Sequence, residues 1–194
     1  MDSAHWQNTH EEEKFNARSM RRLIASCIDR NSLGGKHSVA MHMTDSIQLA
    51  SVYRLTGVNF RLAAETLAPT IETRPDGTPV KLTAIPLYFL VSHAAELFLK
   101  SALLKRGFVE KDLKQFDYRH SLDALLTALQ DKCVTITPTT IALLNGLHYQ
   151  HQTHALRYAS LVDNGQPTFM PPLPLVFEML DELLLLTRVS TQGV

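Results

Sequence analysis

Three polar side chains sit at helical spacing inside an otherwise apolar stretch. They are His93, Glu96 and Lys100, within Pro86-Leu-Tyr-Phe-Leu-Val-Ser-His-Ala-Ala-Glu-Leu-Phe-Leu-Lys-Ser-Ala-Leu-Leu-Lys-Arg-Gly107. At about 3.6 residues per turn, separations of three, four and seven put all three on one stripe. An imidazole, a carboxylate and an ammonium on one line offer a proton carrier and both signs of charge, which suits ligand binding. The plainer reading is an intrahelical ion pair: Glu96 and Lys100 stand at i and i+4 in the favourable order, worth a few tenths of a kcal/mol, with His93 hydrogen-bonding Glu96.

Two further groups extend this set. Arg119 and His120 precede Ser121 at a helix start, and Arg157-Tyr158 closes a later segment. Each has a local explanation: His120 as a helix-start residue, Arg119 as a solvent charge, and Arg157 as a cation held by Glu96 or a helix C-terminus with Tyr158 packed alongside. His148, His151 and His154 lie within one helical stretch. Their i, i+3, i+6 spacing differs from the i, i+4 pair of familiar zinc helices and spreads the rings around the helix, so the expectation is a polar helix face and no metal or other cofactor.

The elements that must position these residues read as helices. Met20, Leu23, Ile24, Cys27 and Ile28 form a stripe within residues 11–30, an N-terminal accessory helix that stops at Asn31-Ser-Leu-Gly-Gly35. Residues 34–43 read as a linker, which divides the chain into an appendage over 1–42 and a core domain over 43–194. Ile47, Ala50, Tyr53, Gly57, Phe60, Ala64 and Leu67 predict a long first core helix, capped at Thr44 or Asp45 and ended by Pro69. Pro75-Asp76-Gly77 marks a turn in a hairpin or ordered loop. The stretch carrying His93 opens at Pro86 and closes at Gly107. A short helix over 109–116, one capped by Ser121, one opened by Thr137-Pro138 and one after Pro174 complete the pattern. Strand signals are scarce. The class is all-α, an up-and-down helical bundle of four to five core helices.

Composition bounds the function. With 194 residues, 45% of them hydrophobic, the chain can bury a core as one domain. Nineteen basic residues balance nineteen acidic ones, so no global basic field recruits nucleic acid or anionic lipid, and any polyanion contact is local. Cys27 and Cys133 show no pairing pattern and no apolar leader follows Met1, so a cytoplasmic location is expected. The polar residues at 93, 96 and 100 interrupt the longest apolar run, which argues against a membrane span.

The order of the segments resembles a known family. His93-Ala-Ala-Glu-Leu-Phe-Leu-Lys-Ser-Ala-Leu-Leu-Lys-Arg-Gly107, then Arg119-His120-Ser-Leu122, then Leu144-Asn145 and Leu156-Arg157-Tyr158, is similar to HEPN domains over roughly residues 44–186. The resemblance implies a helical bundle that dimerises, with a nucleotide, an RNA or a partner protein such as a nucleotidyltransferase or an antitoxin as its ligand. Many HEPN domains are metal-independent ribonucleases carrying an Arg-x(4–6)-His motif on late helices, while others are binding or partner modules. Here the sole match is Arg30 to His37, in the Gly-rich linker, where no rigid scaffold holds it.

RNA cleavage through the 2′-OH needs a group to take that proton and a cation to stabilise the phosphorane oxygens. His120, Arg157 and His151 are the candidates for those roles. His93, Glu96, Lys100, Arg119, His120, Arg157 and Tyr158 are the candidate ligand-binding set. The expectation is a homodimeric, non-catalytic binding module; an endoribonuclease of toxin or defence type and a purely structural dimerisation partner are the alternatives.

Overall fold

A computed structural model describes residues 39–115, 118–153, 156 and 169–188, with side chains from Ser46 onward. The accessory helix over 11–30, the Arg30–His37 match, His154, Arg157 and Tyr158 lie outside the described residues.

Among the described residues the elements are helical: α1 (Val39–Leu67), α2 (Ile85–Leu104), α3 (Glu110–Leu113), α4 (Leu122–Gln130), α5 (Pro138–Gln152) and α6 (Leu173–Leu186), with 3₁₀ turns at Ala68–Thr70 and Leu82–Ala84. The all-α class therefore holds. The expected start of the first core helix is corrected: α1 already runs from Val39, so Thr44 and Asp45 are not its cap and the expected 42/43 division falls inside a helix. Nothing in Val39-Ala-Met-His-Met43 breaks a helix, and Ala and Met favour one. Between α1 and α2 the chain makes a miniature hairpin, with a single bridge between Thr73 and Pro79 around Gly77 at φ +82.

Helix α2 is the centre, packed by α1, α4, α5 and α6. Proline stands in its first turn, and Gly107 at φ +90 ends the chain's helical run where a left-handed residue is needed. Leu82–Leu104 has the length and composition of a membrane-crossing segment, yet most of it is buried against the protein's own helices. An all-round apolar helix is what a bundle centre requires.

Close approach of α1 and α2 depends on Gly57, where a Cβ would lie 2.7 Å from Cε1 of Phe98, itself fully buried. Ser101 Oγ fixes the same crossing by donating to the Ala50 carbonyl at 2.7 Å. At the far end, Lys105 donates to the Thr187 carbonyl and Arg106 to that of Leu186, so the basic pair closing α2 satisfies the C-terminal carbonyls of α6. Tyr88, fully buried, donates its hydroxyl to the Pro171 carbonyl, and burial pushes its phenol above the usual range.

The two expected caps are present. Ser121 Oγ accepts from the Ala124 amide at 3.1 Å and Thr137 Oγ1 from that of Thr140 at 3.3 Å. Glu182 of α6 reinforces the second by accepting from the Thr137 amide at 2.7 Å and from both threonine hydroxyls at 2.6 Å, a carboxylate at the N-terminus of α5.

Candidate functional site

The stripe on α2 points into the bundle. Glu96 and Lys100 are both buried, and the expected i, i+4 ion pair between them forms in the interior at 2.5 Å. Helix α2 is surrounded by other helices, and its polar stripe has to be satisfied by protein atoms.

That satisfaction converges on one carboxylate. Oε1 of Glu96 takes a bond from Lys100 Nζ at 2.5 Å. Oε2 lies 2.7 Å from His151 Nε2 on α5 and 3.3 Å from His120 Nδ1, just ahead of α4. An ionised carboxylate only accepts, so a ring nitrogen hydrogen-bonded to it carries a proton; this fixes the His151 tautomer with Nε2–H toward Glu96. Lys100 Nζ spends a second proton on the Arg119 carbonyl at 2.9 Å, which ties the loop before α4 to α2.

Burial alone would push the Glu96 carboxyl up. The His151 hydrogen bond and the Lys100 charge outweigh it and hold the group down at about 2, against the usual 4.5. The carboxylate is therefore ionised throughout the physiological range, and its partners surround it: the Lys100 ammonium and the His151 imidazole are 10% and 3% exposed.

His93 is half-buried one turn before Glu96. Its ring lies among Phe60 of α1 at 5.1 Å, Phe89 at 4.9 Å and His151 at 5.5 Å between centroids, edge-on to Phe60 and His151. The His120 ring stands edge-on to His151 at 6.1 Å. Three imidazoles thus surround Glu96, one from α2, one from α5 and one from the loop before α4.

Of the candidate residues, His93, Glu96, Lys100, His120 and His151 come together, and Arg119 joins through its main chain while its side chain faces solvent. Arg157 and Tyr158 lie outside the described residues. His148 turns away from the cluster, its Nδ1 3.5 Å from the Asp123 amide. His120 is partly open to solvent, at 28% side-chain exposure against 6% for Glu96. Sequence reasoning missed the Arg119 carbonyl and the rings of Phe60 and Phe89; a main-chain acceptor leaves no side-chain signal, and both phenylalanines read simply as core.

No family model matches the chain, and no curated protein or solved structure matches it significantly.

Proposed function

We propose that the chain is a HEPN-like binding module without catalytic turnover, which takes an anionic group of a nucleotide or RNA at the His120–Arg119 rim. The observation that carries this reading is the engagement of Lys100 and His151. A ribonuclease needs a cation and a proton acceptor that reach the scissile phosphate. Here the ammonium and the imidazole are sealed in the bundle and bonded to Glu96, and the part of the cluster a dissolved ligand can reach is the exposed Arg119 side chain beside the partly exposed His120 ring. A homodimer is part of the same reading. Ile47, Val52, Leu55 and Leu62 are exposed on α1 and supply an apolar surface for a second copy.

The test is fluorescence anisotropy of a labelled single-stranded RNA and a labelled mononucleotide at low and high salt, with RNA integrity read on gels in EDTA. The reading expects salt-weakened binding that is reduced in Arg119→Ala and His120→Ala, with RNA intact. EDTA-resistant cleavage that disappears in His120→Ala would replace it with the nuclease. A dimer that binds neither ligand at low salt would replace it with the structural partner.

A further inference from the structure

The hydrogen-bond network does not by itself require three imidazoles around one carboxylate. Lys100 alone compensates the charge of Glu96 through Oε1, while the nitrogen-rich side of the cluster faces the other oxygen. His93, Glu96 and His151 each present a ligand atom, and those atoms all lie within 4.8 Å of one another. His120 adds a further ring nitrogen 3.3 Å from Glu96 Oε2.

We propose that this cluster is a site for a divalent transition-metal cation of the zinc class, held by His93, Glu96 and His151, with the fourth position open toward His120. The donor set is two imidazoles and one carboxylate, which matches borderline cations such as zinc or cobalt and is too nitrogen-rich for magnesium or calcium. The scale is also right. Tetrahedral ligands about 2.0–2.2 Å from zinc stand roughly 3.3 Å apart. The 2.7 Å Glu96–His151 pair has to open slightly and the wider pairs within the 4.8 Å envelope have to close. To ligate through Nε2, His151 changes to its Nδ1–H tautomer by proton exchange with solvent, so the metal replaces the proton facing Glu96 while the imidazole stays neutral.

The surroundings have the features of a metal's outer shell. Lys100 holds the second carboxylate oxygen and so fixes the orientation of Glu96, as groups behind metal ligands do. Phe60 and Phe89 wall His93 on its apolar side. Partly exposed His120 marks the way in. Lys100 also opposes the cation by charge, so the site binds less tightly than the same donor set without it. The inference stands on side-chain geometry and is independent of the family reading under Proposed function.

The test uses the full chain without a polyhistidine tag, stripped with EDTA and dialysed. Cobalt(II) titration followed by its visible d–d absorption reports coordination, and equilibrium dialysis with zinc reports stoichiometry. The expected result is saturable binding of one cation per chain, with the intense band of four-coordinate cobalt. His93→Ala and His151→Ala should each weaken binding by more than about tenfold. Lys100→Met should tighten it, and His148→Ala, on the same helix as His151 but outside the cluster, should leave it unchanged. Helical circular dichroism confirms that each variant is folded; should His151→Ala not fold, His93→Ala and the wild-type titration decide. Absence of one-equivalent binding by the wild type overturns the proposal, as does equal affinity in folded His93→Ala, or a loss in His148→Ala matching that in His93→Ala.

Discussion

His151 Nε2 lies 2.7 Å from Glu96 Oε2 across fifty-five residues of chain, and this contact joins α5 to α2 in the interior of the bundle. With Lys100 and the Arg119 carbonyl on the other side, the carboxylate of Glu96 ties α2, α5 and the loop before α4 together. A buried charge is tolerated only when it is paired and hydrogen-bonded, and removing its partner costs more than the pair contributes.

Glu96→Ala therefore leaves the Lys100 ammonium buried beside the Arg119 carbonyl with no counter-charge. We expect a loss of about 3–5 kcal/mol, a large part of an ordinary domain's stability, read by urea denaturation. The double variant Glu96→Gln/Lys100→Met removes both charges together and should recover much of that loss. A double variant no more stable than Glu96→Ala would show that charge imbalance is not the cause.

Acid should destabilise the metal-free protein through the same group. Glu96 is held at about 2 in the fold against 4.5 ordinarily. A depressed carboxyl contributes stability that is complete above the unfolded value and is lost as pH falls through the folded one. The window thus runs from about pH 4.5 down to about 2. At about 1.4 kcal/mol per pH unit it amounts to about 3 kcal/mol. Urea midpoints across that window should fall more steeply in wild type than in Glu96→Gln; parallel slopes would assign the acid sensitivity elsewhere.

The α1–α2 crossing gives a packing prediction. Gly57→Val places a side chain where even a Cβ would meet the Phe98 ring at 2.7 Å, so the helices must separate. Overpacking of this kind costs about 1–3 kcal/mol. Phe98→Asp is harsher, since it buries an unpaired carboxylate in a fully buried position and should abolish cooperative melting. A cooperatively melting Phe98→Asp protein would remove α2 from the centre.

Much of this was legible in the residues. Pro86 and Gly107 bracket α2, Ser121 and Thr137 cap α4 and α5, and simple periodicity places His93, Glu96 and Lys100 on one stripe. The direction of that stripe was not legible. A helix apolar on nearly every side has no contrasting face, so nothing local says whether its few charges face water or a neighbour. The choice of His151 over His148 depends on how α5 is rotated against α2, a tertiary property. A search for metal ligands along one helix finds residues 148, 151 and 154, whereas the convergence found here runs between helices. The start of α1 at Val39 has no cap signal of its own: Val39-Ala-Met-His-Met43 follows the Gly34-Gly35 break closely, and its residues have no reason to stay unfolded.

The central claim is that the Glu96 carboxylate and the His151 imidazole act as one unit across α2 and α5. A double-mutant cycle in urea with Glu96→Gln, His151→Leu and the double variant measures this directly, because coupling between contacting buried groups is about 0.5–3 kcal/mol whereas independent sites add. The account predicts a coupling of about 1 kcal/mol or more, with the double variant losing less than the two single changes together. Strict additivity of the two substitutions would contradict it.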